Sequence, residues 1–268
     1  MLRDITVGQY YPTKSFVHNL DPRAKFVITF LYLISLFVFD SFASYAVVTC
    51  YLAFIIYKSN VPLKYIVKGL KPILFLLIFT AVLNIFWTPG IPIFTWKFIS
   101  ITREGLRSGV FMVFRLTYLI VGTSMLTYTT SPNELTSAIE SLFSPLAKIK
   151  VPVHDFAMMM SLALRFIPIL MEEANRIINA QSARGADFNE GNIFKRLKSM
   201  VSILVPLLVS ATRRAYDLAN AMEARCYNGG DGRTKMKPLV YHLRDRLAYV
   251  AGLMYLAAVI LVNHFIML

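Results

Sequence analysis

Cysteine and histidine, which build disulfide frameworks and metal centres, are scarce in this chain. Of its 268 residues, two are cysteine and four are histidine. Cys50 lies inside an apolar run and Cys226 outside one, so a disulfide framework is excluded. The histidines are scattered and lack the spacing of a metal site. We therefore assign no metal ligands and no cofactor.

Motifs for nucleotide or catalytic chemistry are also missing. No Gly-x-x-x-x-Gly-Lys-Ser/Thr sequence occurs, so we do not expect the chain to hydrolyse ATP. No paired-carboxylate or Ser-His arrangement indicates an enzyme. The apolar runs hold almost no ionisable side chains. The main exception, Arg115, is either a charge paired or snorkelling within a helix bundle, or a substrate ligand.

Long apolar runs set the class of the protein. Hydrophobic residues make up 56% of the chain and charged residues only 16%, with a mean hydropathy of +0.56. These values predict an all-α, polytopic membrane protein with about five transmembrane helices. The runs are Phe26–Phe39, Phe42–Tyr57, Pro72–Trp87, Val110–Tyr128 and Leu247–Leu268.

The distribution of basic residues predicts the orientation. Residues 1–25, 58–71 and 129–246 carry twenty-four Lys and Arg, against three between 88 and 109. The positive-inside rule then places the N-terminus in the cytoplasm and the C-terminus outside a bacterial plasma membrane. The net charge of +13 thus follows from topology and from contact with anionic lipid headgroups, and we predict no nucleic-acid partner.

The chain divides into three predicted regions. Residues 1–128 form an N-terminal bundle of four spans, 129–246 a cytoplasmic region of long helices, and 247–268 the final transmembrane helix. In the middle region Ser131 and Glu134 have the spacing of a helix-capping box, and Asp155 is placed to cap the start of the first long helix. The two long helices that follow are half apolar and half polar along their length, so we expect them at the membrane interface.

Those two long helices end alike. Ala183-Arg184-Gly185 recurs 41 residues later as Ala224-Arg225-Cys226, and five of thirteen residues between Glu172 and Arg184 are identical at that offset. A duplicated cationic helix end predicts a docking device for two similar partners. The alternative is that each arginine only complements its helix dipole.

Small residues also recur on these helices. A stripe with a four-residue spacing on the second helix, together with alanines on the first, predicts that the two helices cross closely. The alternative is that alanine merely favours helix. The predicted crossing residues are Ala174, Ala180, Ala211, Ala215 and Ala219.

Several stretches resemble one protein family. Residues 15–25 (SFVHNLDPRAK), 164–168 (LRFIP) and 180–185 (AQSARG) are similar to the T component of energy-coupling factor (ECF) transporters. The resemblance covers essentially the whole chain. Cys226 departs from the glycine that is commoner at that position, which would suit two ATPases that are not identical.

The resemblance implies a coupling subunit. Two ABC-type ATPases would bind Arg184 and Arg225, each flanked by small residues that let the guanidinium reach a carboxylate. A small membrane protein, the S component, would capture a vitamin or metal ion. We expect flexible apolar side chains to grip it. They are Met158, Met159, Leu162, Met171, Met200, Leu204, Leu207 and Leu208.

Two other classes of function stay open from the sequence. The chain could be a conventional ABC permease subunit that forms the substrate path itself, or a membrane scaffold with no role in transport. The transported substrate, the number of S components served and the stoichiometry are not encoded in any motif of this chain.

Overall fold

The computed structural model describes residues 10–39, 41–96, 99–186, 193–229 and 238–267. Within these residues the backbone forms nine α-helices and one β-hairpin. In chain order the helices are α1 (Pro22–Val38), α2 (Phe42–Ser59), α3 (Leu63–Leu70), α4 (Leu74–Trp87), α5 (Arg103–Thr129), α6 (Pro132–Phe143), α7 (Val153–Ala183), α8 (Ile193–Glu223) and α9 (Leu243–Met267). Short 3₁₀ turns precede α4 and α7.

The described residues fall into two compact units. Residues 10–138 and 239–267 form one unit, which we call the bundle. Residues 139–229 form the other, which we call the paired-helix unit. The chain therefore leaves the bundle in α6 and returns to it just before α9.

The predicted all-α polytopic class is confirmed, with one short exception. Strands β1 (Pro92–Trp96) and β2 (Ile99–Thr102) pair antiparallel between α4 and α5. This hairpin was not predicted, although residues 91–102 are rich in the β-branched and aromatic types that favour strands. Thr102 then caps α5 by accepting a hydrogen bond from the N–H of Gly105 at 3.0 Å.

Five described helices are long and apolar enough to cross a membrane, which matches the predicted number. One of these five helices differs from the five predicted spans. Helix α1, predicted as the first span, has 17 residues and is not among the five, whereas α7 is. A 17-residue helix lies at the short limit for crossing a hydrocarbon core. Length and composition therefore do not exclude α7 from the membrane, although we expected it to be too polar.

Tyrosine hydroxyls join the helices of the bundle. Tyr32 on α1 donates to the backbone carbonyl of Tyr118 on α5 at 3.0 Å. The hydroxyl groups of Ser35 and Tyr255 lie 2.7 Å apart and link α1 to α9. The hydroxyls of these tyrosines are thus paired with a partner in an otherwise apolar core, as buried polar groups must be.

The contact between α1 and α5 depends on one glycine. A Cβ atom at Gly122 would collide with the ring of Tyr32. The absence of a side chain therefore lets the two helices approach until the tyrosine ring lies against the α5 backbone.

One end of the bundle is closed by a buried cluster that we call the polar junction: Asp21, Arg23, Lys25 and Asp245. The Asp245 side chain is 1% exposed and accepts the backbone N–H groups of Asp21 and His242, each at 2.7 Å. It thereby caps α9 and holds the start of α1 against it. Asp21 in turn caps α1 and pairs with Arg23 at 2.8 Å.

Lys25 attaches two further segments to the polar junction. Its Nζ donates to the carbonyls of His18, at 2.9 Å, and Thr129, at 2.8 Å. Lys25 precedes the first apolar run, and burial lowers its pKa to about 8. Burial also lowers the pKa of His18, which bonds Ser15 at 2.7 Å. The stretch 15–25, which carries part of the family resemblance, therefore connects the start of α1 to the end of α5 and the start of α9.

The start of α6 is as predicted, and the start of α7 is not. Ser131 Oγ accepts the N–H of Glu134 at 3.3 Å while the Glu134 carboxylate accepts the N–H of Ser131 at 3.2 Å, which confirms the capping box. Helix α7 begins at Val153, so Asp155 lies in its first turn and does not cap it. Pro152 sets this earlier boundary, because proline is well tolerated just before the first turn.

Candidate functional site

The C-terminal end of α7 presents Arg184. Beyond the last helical residue, the N–H of Gly185 donates to the Ser182 carbonyl and the N–H of Ala186 to the Gln181 carbonyl, each at 3.0 Å. This pair of bonds is the Schellman motif, which satisfies carbonyls that the helix leaves unpaired. Arg184 stands at the cap position of that turn and is exposed.

The C-terminal end of α8 presents Arg225 in the same way. The N–H of Cys226 donates to the Glu223 carbonyl at 2.8 Å, and the N–H of Tyr227 donates to the Met222 carbonyl at 3.0 Å. Every donor and acceptor lies 41 residues after its counterpart on α7. The sequence repeat is thus also a repeat of backbone geometry, and Arg225 is exposed as Arg184 is.

The residue after each arginine has a left-handed backbone. The φ angle is +86° at Gly185 and +55° at Cys226. Glycine adopts such angles without steric cost, whereas a residue with a Cβ atom pays about 1 kcal/mol or more. The turn therefore has the same shape in both copies, and Cys226 adopts it at a cost. Its thiol is exposed and free.

Neither arginine is engaged within the part of the chain that the structure describes. No hydrogen bond or ion pair joins the Arg184 or Arg225 side chain to another described residue. A cavity of about 300 Å³ adjoins Arg225 and is lined by Met158, Met222 and Tyr227. Within that part of the chain no partner occupies either guanidinium, and a guanidinium can bind a carboxylate through two parallel hydrogen bonds.

Helices α7 and α8 run antiparallel, as two contacts show. Glu173 pairs with Arg214 at 3.2 Å, about two-thirds of the way along each helix. The Tyr227 hydroxyl, just beyond the end of α8, meets the sulfur of Met158, near the start of α7, at 2.8 Å. Parallel helices would place Tyr227 near the opposite end of α7.

The antiparallel arrangement separates the two arginines. Arg184 lies eleven residues after Glu173, and Arg225 lies eleven residues after Arg214. At 1.5 Å per residue, each arginine is about 16 Å from the ion pair, on opposite sides of it. The Cα atoms of the two arginines are therefore separated by roughly 33 Å, measured along the helix pair, which is too far for both side chains to bind one small site.

The predicted crossing residues divide into two groups. Ala174 is buried and Ala211 partly buried, and both lie close to this ion pair in sequence. Ala180, Ala215 and Ala219 are exposed. The helix contact is therefore centred on Ala174 and the Glu173–Arg214 pair and does not follow the predicted stripe on α8.

The predicted gripping residues lie on an apolar surface of α7 and α8. Met159, Met200, Leu204 and Leu208 are 55–66% exposed. Met158, Leu162, Met171 and Leu207 are partly buried. The exposed apolar side chains of α8 recur four residues apart and so form a continuous stripe, in which Val201, Val205 and Val209 join the predicted residues. A surface of this kind requires a lipid or protein cover.

Two comparisons with known proteins bear on these features. The family described as cobalt transport protein (CbiQ) matches residues 13–236. Proteins named energy-coupling factor transporter transmembrane protein EcfT match nearly the whole chain. The one from Clostridium kluyveri is 53% identical over 94% of each chain. Those from Ruminiclostridium cellulolyticum and Bacillus subtilis are 49% and 44% identical, over 98% and 97% of this chain and 99% and 98% of their own.

This chain belongs to the EcfT family. It is the transmembrane component of an ECF transporter, which confirms the family that the sequence motifs resemble. A transmembrane subunit of this kind is a membrane protein and part of a complex. Among the described residues, no group of three His, Cys, Asp or Glu side chains lies close enough to hold a metal ion.

Arg115 lies within α5, one of the helices long and apolar enough to cross a membrane. The sequence left open whether it is packed within the helix bundle or binds substrate. Its Nε lies 3.4 Å from the Tyr45 hydroxyl, and its guanidinium lies 5.8 Å from the centre of the Phe37 ring. These contacts favour the alternative of a charge packed within the bundle over that of a substrate ligand.

The ion pair at the helix crossing was not among the predicted site residues. Glu173 and Arg214 are 41 residues apart, so they occupy equivalent positions of the repeat. Opposite charges at equivalent positions of a duplicated helix were a signal that the two copies meet there. The identical residues of the repeat do not reveal this pair, because the two positions carry different side chains.

Proposed function

We propose that this EcfT chain transmits the motion of two ABC-type ATPases to a substrate-binding S component of a vitamin or micronutrient importer. The observation that carries the proposal is the pair of equivalent, exposed arginine caps at opposite ends of one antiparallel helix pair. Such an arrangement lets two similar partners each bind one end of the same helix pair.

Arg184 and Arg225 each dock one ATPase in this proposal. The capping turn holds each arginine beyond the last helical residue, and the small neighbours Ala183, Gly185 and Ala224 leave its guanidinium accessible. Arginine suits a carboxylate-lined groove because its planar fork binds both oxygens. Cys226 and the cavity beside Arg225 make the second end chemically different from the first. That difference supports docking to two ATPases that are not identical.

The S component is proposed to rest on the apolar stripe of α8 and the neighbouring face of α7. Methionine and leucine side chains there repack easily, so one surface can accept several partners of different shape. ATP binding would draw the two ATPases together and move both ends of the helix pair. The stripe would move with the pair and reorient the S component so that its substrate is released to the cytoplasm.

The proposed topology follows the charge distribution. The chain would lie in a bacterial plasma membrane with its N-terminus and residues 129–246 on the cytoplasmic side, and with its C-terminus outside. Residues 1–128 would form the first transmembrane region and 247–268 the last span. Helix α7 would then lie along the membrane interface, although its length alone would let it cross.

The test is assembly and transport with the two arginines reversed in charge. The complex of the chain with its two ATPases and one S component would be purified and reconstituted into liposomes. We expect Arg184→Glu with Arg225→Glu to abolish ATPase co-purification and ATP-driven uptake. The matched control, Arg176→Glu with Arg213→Glu, changes exposed arginines on the same helices and should leave both unchanged. Normal uptake by the first variant would refute the proposal.

The alternative functions give different results in the same system. A permease subunit that forms the path itself would transport substrate with the ATPases alone, without an S component. A scaffold without a transport role would be dispensable for uptake. We favour coupling because the arginine caps are repeated and separated, which neither alternative requires.

A further inference from the structure

The bundle contains an apolar groove that the proposed coupling role does not use. It has a volume of about 370 Å³ and lies among α1, α2, α5 and α9. Its walls include Ile28, Tyr51, Ile55, Met125 and Ala251. All of its lining residues belong to the bundle, so it is distinct from the arginine caps and from the stripe on α8. A long, apolar, partly open groove of this size fits a hydrocarbon chain.

Among the described residues that line the groove, two lysines carry a charge and none is acidic. They are Lys25, near the start of α1, and Lys58, near the end of α2. Lys25 is 6% exposed, and its ammonium group uses two of its three N–H bonds for the His18 and Thr129 carbonyls. Among the described residues, no acceptor is present for the third. The groove is therefore apolar along its walls and positive at one end.

The positive end coincides with the basic end of the bundle. The start of α1, the end of α2, the end of α5 and the start of α9 all line the groove. The same end carries the polar junction and the segment 58–71, which begins at Lys58 and contains four lysines. By the charge distribution this end faces the membrane surface, and the groove extends from it along the apolar helices.

We propose that the groove binds one anionic phospholipid of the surrounding bilayer. One acyl chain lies along the apolar walls, and the negative headgroup meets Lys58 and the free N–H of Lys25. Charge complementarity selects this occupant. Among the described residues that line the groove, two are cationic and none is acidic, although the carboxylates of Asp21, Asp245 and Glu134 outside the lining offset part of the Lys25 charge. Lys58 and the unused N–H of Lys25 therefore favour a negative headgroup over a zwitterionic one. The bound lipid would fill the space between four helices and pair a buried ammonium group, and so would stiffen the bundle at its polar end.

The proposal can be tested on the purified full-length chain in mild detergent by native mass spectrometry. Phosphatidylglycerol and phosphatidylcholine with identical acyl chains are the two probes. We expect one phosphatidylglycerol to bind each chain, about tenfold more tightly than phosphatidylcholine because two lysines meet its headgroup. Ala251→Phe, which fills the groove, should abolish this binding. Ala257→Phe, at an exposed site on the same helix, is the matched control and should retain it.

A second pair of variants examines the headgroup. Lys58→Gln should reduce the preference for phosphatidylglycerol at least severalfold, whereas Lys64→Gln on α3 should not change it. If Ala251→Phe fails to fold, Ile55→Trp fills the groove from the opposite wall.

Two results would overturn the proposal. Equal phosphatidylglycerol binding by the wild type and by a folded groove-filled variant would mean that the lipid is only annular. Equal affinity for the two probes would remove the headgroup contact. Both results are independent of ATPase docking, so failure here would leave the coupling role untouched.

Discussion

Glu173 on α7 and Arg214 on α8 form an ion pair of 3.2 Å between equivalent positions of a 41-residue repeat. Because the two helices are antiparallel and a residue meets its own counterpart in the second copy, the two copies are related by an approximate local two-fold axis through that contact. The axis explains why the arginine caps lie at equal distances on opposite sides of the pair. Duplication of a helix with a cationic end thus produces a symmetric helix pair with one arginine on each side of the ion pair.

This ion pair should contribute little to stability but should define the register of the helix pair. Both side chains are partly exposed, so we expect a coupling energy of about 0.5–1 kcal/mol. Glu173→Arg should lower the melting temperature and the yield of assembled complex, and adding Arg214→Glu should restore both. A double-mutant cycle on the thermal unfolding of the purified chain measures the coupling. A charge swap that fails to recover assembly would contradict the register.

Replacement of Cys226 by glycine should stabilise the end of α8. The left-handed backbone costs a side-chain residue about 1 kcal/mol, which glycine avoids. Gly185→Ala is the converse change and should destabilise α7 by a similar amount. A Cβ at Gly185 would meet no other atom within 4 Å, so its cost is that of the backbone alone. Hydrogen exchange at the Ala186 and Tyr227 amides, which donate the capping bonds, would report both effects.

The sequence predicts the local features of this protein better than its long-range ones. The apolar runs, the capping box at Ser131 and Glu134 and the two arginine ends are all encoded within a few residues. Each is therefore readable from composition, spacing or repetition. The family could be recognised for the same reason, because its motifs are short and contiguous.

Features made by distant residues were not predictable in this way. The carboxylate of Asp245 accepts the N–H of Asp21 across 224 residues, and no local pattern around either position identifies the other as its partner. The direction of α8 relative to α7 likewise depends on a connection whose path no periodicity defines. The exposed Ala215 and Ala219 illustrate the same limit, because a small-residue stripe indicates that a close contact is possible but not where it forms.

The separation of the arginine caps is directly measurable. Spin labels on cysteines placed at 184 and 225, in a chain with Cys50 and Cys226 changed to serine, should give a distance near 33 Å plus the label lengths. Labels at 158 and 227 should be close, because Met158 and Tyr227 are in contact. Pulsed electron–electron double resonance on the purified chain distinguishes this antiparallel pair from a parallel one. A parallel pair would reverse the two distances.

Loss of the Asp245 carboxylate should destabilise the bundle strongly. Asp245→Ala leaves the N–H groups of Asp21 and His242 buried without acceptors, at about 1–3 kcal/mol each. We therefore expect the largest drop in melting temperature among the variants considered, in detergent and without any partner. Asp217→Ala removes an exposed carboxylate from α8 and should change the melting temperature little. Asp245→Asn keeps one acceptor oxygen and should recover part of the loss, since a carboxamide can still accept one of the two bonds. If Asp245→Ala melted like the control, the polar junction would not be what holds the start of α1 against α9.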